Sequence, residues 1–137
     1  MMISTKGRYA LRVMIDLAQN DTGEYISLKD VAQRQGISMK YLEMIVSLLH
    51  KGHMVESQRG KSGGYRLIRE PSEYTIEAIL KLTEGTLAPV NCLGNDVNSC
   101  ERAENCITLP LWKRLDDVIG NYLNSVTLQD LLDGNVS

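Results

Sequence analysis

The chain has 137 residues, of which 43% are hydrophobic and 23% charged, and its formal net charge is −2 at neutral pH. That composition can fill a packed core, which excludes wholesale disorder, and the length fits one domain or one small domain with an appended helix. No apolar run reaches the roughly 18 residues of a membrane span and no secretory leader pattern is visible, so a cytoplasmic location without a membrane partner is expected.

Charge is unevenly spread. Residues 1–70 carry eleven Lys/Arg against seven Asp/Glu, whereas residues 71–137 carry four against ten. A basic front half suits a polyanionic partner and an acidic rear half stays off it, although surface charge by itself is more often only solvation.

The first predicted helix covers residues 5–20, with Tyr9, Ala10, Val13, Met14, Leu17 and Ala18 at helical spacing. Lys6, Arg8 and Arg12 crowd its first half, where basic groups oppose the helix dipole. They suit nearby phosphates, or simply a solvated face. Residues 20–23, Asn-Asp-Thr-Gly, form a turn, and Ser27 caps a short helix from Leu28 to Gln35. Gly36 then supplies a tight turn, Ile37 plugs it, and Ser38 caps a further helix running to about His50. Two helices joined in this way make a helix-turn-helix, whose second helix offers Ser38, Lys40, Tyr41 and Glu43 to base edges in a major groove.

Two strand-like runs follow, at 54–57 and 65–68, on either side of a basic glycine-rich tip. In that tip Gly60, Gly63 and Gly64 permit close backbone approach, and Arg59 and Lys61 supply charge for phosphate or a narrow minor groove. Elsewhere such a tip is equally compatible with a plain flexible turn; directly behind a helix-turn-helix it describes the wing of a winged helix. The expected fold is therefore mainly α, a winged helix-turn-helix with a two-stranded β wing and a long C-terminal dimerisation helix. Residues 1–70 form the reading head, 71–91 a linking helix, 92–106 a cysteine loop, and 107–137 the dimerisation helix with a short final helix.

Thr75 caps the linking helix, Ile76 to Thr83, which is expected to pack on the first helix. From about Thr108 a long helix begins, with Pro110 in its first turn. Its apolar stripe consists of Leu111, Trp112, Leu115, Val118, Ile119, Tyr122, Leu123 and Val126. A helix appended to so small a head has little core of its own to cover, so the stripe predicts a second copy of the chain. Thr127 with Asp130 caps the final short helix.

All three cysteines, Cys92, Cys100 and Cys106, fall within fifteen polar residues between the head and the long helix. In a reducing compartment such clustering points to metal or redox chemistry rather than structural disulfides. An iron–sulfur cluster, another metal such as Zn²⁺, and reactive thiols all remain open on the residues alone.

Taken together, these residues resemble a known family, the winged-helix regulators that include IscR, NsrR and CymR. The likeness covers nearly the whole chain. It rests on Ser4-Thr5-Lys6-Gly7-Arg8-Tyr9-Ala10, Ile37-Ser38-x-x-Tyr41-Leu42-Glu43 and Arg59-Gly60-x-x-Gly63-Gly64-Tyr65, and continues through Leu82-x-Glu84-Gly85 and Cys106-x-Thr108-x-x-Leu111-Trp112. The resemblance implies homodimers on palindromic double-stranded operators, with Tyr41, Glu43 and Arg59 at the DNA surface and Gly60, Gly63 and Gly64 shaping the wing. It also implies a [2Fe–2S] cluster on Cys92, Cys100 and Cys106, since members working on cysteine metabolism lack these cysteines. Three departures are visible. The first cysteine gap is two residues longer than in IscR-like loops, Leu109 stands where that pattern has His, and Arg8 stands where some nitric-oxide sensors have an Asp ligand. Such a cluster wants four ligands, and the fourth is left to Asp96, Glu101, Glu104, Asn91, the other subunit or a small exogenous group.

The function expected is a dimeric DNA-binding regulator whose operator affinity responds to the cluster, through iron–sulfur, redox or nitric-oxide sensing. The alternative within the class is a CymR-like repressor of cysteine or sulfur metabolism acting through a partner protein. A redox enzyme is the alternative outside it, but no nucleotide-binding glycine motif and no Ser/His/Asp or Cys/His constellation can be assembled, so no catalytic residues are expected. Asp116 and Asp117 fit a solvent face.

Overall fold

The structure is a computed structural model and describes residues 3–90, 93 and 106–137. Among the described residues, six α-helices and one antiparallel two-stranded sheet follow in the order α1 (Thr5–Gln19), α2 (Leu28–Gln35), α3 (Met39–Lys51), β1 (Val55–Gln58), β2 (Gly64–Leu67), α4 (Ile76–Glu84), α5 (Leu109–Ser125) and α6 (Leu128–Asp133). A 3₁₀ turn at Pro71–Glu73 precedes α4. This is the expected winged helix-turn-helix with a long helix appended.

Local chemistry sets most boundaries. Ser27, Ser38, Thr75 and Thr127 each accept a hydrogen bond from the backbone N–H three residues on, filling one orphan donor of α2, α3, α4 and α6. Thr127 and Asp130 complete a reciprocal capping box. Gly36 ends α2 in the left-handed region (φ 64°), where a Cβ would be penalised. In the wing, Val55, Glu56, Ser57 and Gln58 pair with Leu67, Arg66, Tyr65 and Gly64, leaving residues 59–63 as the tip. Ile26 adds a third edge by exchanging two backbone hydrogen bonds of 2.9 Å with Tyr65.

The main core is built from α1 (Ala10, Val13, Met14, Leu17), α3 (Leu42, Ile45, Val46, Leu49) and Val31 of α2. It does not stop at residue 70. Tyr74, Ile79 and Leu128 belong to the same cluster, so the linking segment and the last helix are fastened to the head. Residues 126–128 run antiparallel to 74–76: Ile76 N–H donates to the Val126 carbonyl and Leu128 N–H to the Tyr74 carbonyl, each at 2.9 Å. The buried Tyr74 hydroxyl accepts from the N–H groups of Ile68 and Arg69 and donates to the Met54 carbonyl at 2.7 Å, binding the wing to this seam.

A second, smaller cluster joins Ile76, Leu80, Leu87 and Val126, with Ile3, Leu11, Leu123 and Leu131 against it. It corrects one expectation about the long helix. Val126 is only 8% exposed and lies in extended backbone just past α5, so it serves the chain's own core rather than a free face. Leu123 is partly committed in the same way. The chain did have internal surface for that end of the helix to cover.

Candidate nucleic-acid interface and cysteine segment

Helix α3 turns Leu42, Ile45, Val46 and Leu49 inward. A rotation of about 100° per residue then brings Lys40, Glu43, Met44, Ser47 and Lys51 to the opposite side. All five are exposed. Of the residues expected to meet DNA, Lys40 and Glu43 are on this face, and Tyr41 is at its margin. Tyr41 is half-buried, with its ring edge-on to Tyr9 at 5.8 Å between centroids. Ser38 is exposed, but its hydroxyl already accepts from the Tyr41 N–H at 3.2 Å, so its first role is the cap. Met44 was not among the expected residues; it is 43% exposed in the middle of the outward face. An apolar residue interrupting a polar stripe was the available sequence signal.

The wing tip carries Arg59 and Lys61, both exposed. Among the described residues, none of Lys40, Glu43, Arg59 and Lys61 makes an ion pair. Their charges are thus available to another molecule. The glycines beside them divide by role. Gly60 (φ 106°) has open space where a side chain would go. A Cβ on Gly63 would strike the Gln58 carbonyl, and one on Gly64 (φ 150°) would strike the Ile26 carbonyl. Two of the three glycines therefore answer to the chain's own backbone, not to the approach of a ligand.

The basic groups of α1 are partly engaged. Arg12 donates to the side-chain and backbone oxygens of Gln35 and lies over the Tyr9 ring at 5.0 Å, and Arg8 donates to the Thr5 hydroxyl at 3.1 Å. Ser4 explains the motif that opens the helix. Its hydroxyl donates to Glu84 at 2.6 Å while accepting from Gly7 N–H, and a Cβ on Gly7 would strike that same Glu84 carboxylate. The Ser4–Gly7 and Glu84 motifs thus form a clasp between α1 and α4. His50, at the end of α3, faces the wing, with its ring edge-on to Tyr65 and Nε2 3.5 Å from the Ser57 hydroxyl.

Of the cysteines, Cys92 and Cys100 lie outside the described residues, as do Asn91, Asp96, Glu101 and Glu104. Cys106 is half-buried, with Sγ 3.4 Å from the Thr108 hydroxyl, and its carbonyl accepts from the Leu109 N–H at the start of α5. Leu109 turns inward at 8% exposure. Neither it nor Arg8 can supply a fourth ligand, and among the described residues no three His, Cys, Asp or Glu side chains converge on a metal position. Three thiolates nevertheless match the soft-donor preference of an iron–sulfur cluster.

On α5, Leu111, Leu115, Val118 and Tyr122 are exposed, whereas Trp112, Ile119 and Leu123 are half-buried. Asp117 is exposed, as expected of a solvent face, and Asp116 is half-buried; both border a polar cleft of about 460 Å³ with Glu77, Lys81 and Asn121. No described helix is long and apolar enough to cross a membrane.

Comparison with known proteins agrees with this anatomy. The IscR regulator of Serratia proteamaculans is 35% identical over 133 residues, covering 97% of this chain and 80% of its own. The structure of CymR, described as the global cysteine regulator of B. subtilis, superposes with a TM-score of 0.75 at 40% identity, covering 96% of this chain and 95% of that one. IscR of T. potens gives 0.74 at 34% identity, with coverage of 98% and 88%. These relatives are named regulators, not enzymes. With the family profile described as "Rrf2: Iron-dependent Transcriptional regulator" matching residues 3–134, the chain belongs to the Rrf2 family of DNA-binding winged-helix transcriptional regulators.

Proposed function

We propose that two copies of this chain, joined through the exposed face of α5, bind a palindromic operator with an affinity set by a [2Fe–2S] cluster on Cys92, Cys100 and Cys106. The observation that carries the reading is the position of the cysteine segment in the chain. It follows α4, which ends at Glu84, and Leu87, which is anchored in the smaller core, and it closes at Cys106, whose carbonyl accepts from the first N–H of α5. Whatever the three thiolates hold therefore joins the head-bound helix to the helix that carries the second subunit. The cluster would supply redox and nitric-oxide reactivity. The protein's part is to hold it, to fix the two heads, and to read DNA. Lys40, Tyr41 and Glu43 are suited to base edges, and Arg59 and Lys61 to the flanking backbone or minor groove. Recognition helices must sit about 34 Å apart to enter successive major grooves, so a small change in how α5 leaves the head would alter affinity.

Similarity to CymR supports a second reading, a repressor of cysteine metabolism that works through a protein partner. Leu109, in place of a ligating residue, is compatible with it. Anaerobic purification separates the two. A coloured protein with acid-labile sulfide, an EPR signal on reduction, and operator affinity that changes on chelation supports the cluster reading. A colourless protein without sulfide supports the other. An identical affinity with and without the cluster would refute the coupling.

A further inference from the structure

The outward face of α3 carries a chemical anomaly. Lys40, Glu43, Ser47 and Lys51 are polar, as a face turned to water should be, yet Met44 stands between them with 43% of its surface exposed. It is not a lone protrusion. Met44, Tyr41, Lys40 and Ser38 together border a shallow notch of about 330 Å³ on the helix surface. The thioether of Met44 and the ring of Tyr41 give it apolar walls, with the Lys40 stem beside them. Among base edges in a major groove, donors and acceptors recur on every pair, whereas the thymine C5-methyl is the apolar group that projects furthest into it. A methionine without a hydrogen-bond donor, in the middle of a reading helix, is matched best to that group.

On these grounds we infer that Met44 reads the C5-methyl of a thymine in each operator half-site, with Tyr41 and the Lys40 stem as the remaining walls. The inference rests on the DNA-binding reading above and adds a base preference to it. Lys40 and Lys51 on the same face favour a polyanion there over an apolar protein surface. Met39 is also exposed, but it sits in the first turn, about 140° around the helix from Met44, and does not border the notch.

The test uses the full-length protein and selection from a random duplex library, followed by replacement of each thymine in the recovered site with deoxyuridine. Deoxyuridine pairs as thymine does and lacks only the methyl. One position per half-site should weaken binding by about three- to five-fold on replacement, the value of returning one methyl to water. Met44→Ala should still bind DNA but lose that difference, and Met44→Leu should keep most of it. Because Met44 is exposed, both variants should fold as the parent does, which circular dichroism checks. If no position is sensitive to deoxyuridine, or if Met44→Ala keeps the sensitivity, the inference is overturned. If selection recovers no site at all, the DNA-binding reading itself fails, and that result is distinct from either of the others.

Discussion

Asp16 is the only charged side chain in the described core, at 1% exposure, and its partners decide what it contributes. Its carboxylate accepts from Arg34 at 2.7 and 3.0 Å and from the Gln35 amide at 2.9 Å, a two-pronged grip that fixes α2 against α1. The hydrogen bond to Asp16 raises the Arg34 pKa above its ordinary value. Stability gained from that shift is complete below the ordinary arginine value and is lost only as pH rises through the raised one, so it is constant across the neutral range. The asymmetry in burial gives a prediction. Arg34→Ala should cost about 3 kcal/mol, because it leaves a buried carboxylate with only Gln35, although Arg34 itself is partly exposed. In the double variant with Asp16→Ala the loss should be clearly less than the sum of the two single losses, as urea unfolding of all three would show. Tyr74→Phe should cost about 2 kcal/mol by the same measurement, since it strips a partner from two N–H groups and one carbonyl. Neither network can be read from sequence spacing. Asp16 looks like an ordinary interruption between Ile15 and Leu17, and its partners lie 18 and 19 residues away.

Elements were more legible than these residues because their signals are local. The caps at Ser27, Ser38, Thr75 and Thr127 and the apolar periods of α1, α3 and α4 place the helices to within a residue or so of where they lie. The wing was legible from its glycines, but the reason for them was not. Gly64 is required because the Ile26 carbonyl sits where its side chain would be, and Ile26 is 38 residues away in sequence. Gly64→Ala must move Ile26 and break the paired hydrogen bonds between Ile26 and Tyr65. It should cost about 2 kcal/mol and expose those two amides to hydrogen exchange. Arg59→Ala acts differently, because it touches no part of the fold that an ion pair holds. It should leave thermal unfolding unchanged while weakening DNA binding and lowering the slope of affinity against salt by about one. Val126 shows where periodicity misleads: it continues the α5 stripe in sequence, yet the helix ends at Ser125 and the next residue pairs with α4's first turn.

At the scale of the whole molecule, α5 carries two apolar stripes rather than one. Trp112, Ile119 and Leu123 are half-buried, Leu123 against the smaller core, while Leu111, Leu115, Val118 and Tyr122 are 58, 38, 46 and 44% exposed. The exposed four are spaced four, three and four residues apart, the a/d spacing of a helix seam, and fall within about 60° of one another around the axis. Four large apolar groups on one face of a seventeen-residue helix form a continuous patch that water solvates poorly. Two copies of this face can cover each other about a two-fold axis, and a two-fold pair of heads then matches a palindrome. Leu115→Lys with Val118→Lys puts two like charges on that axis without touching the smaller core, where Leu123 and Val126 hold the helix to the head. The doubly substituted protein should therefore remain helical by circular dichroism but run as a monomer in light scattering. Its affinity for a full palindromic site should fall at least ten-fold toward that for a half-site, because the second head no longer binds as part of the same complex. A monomer that held the full site as tightly as the parent would show that each head reads DNA alone, and the cysteine segment would then have no second subunit to reposition.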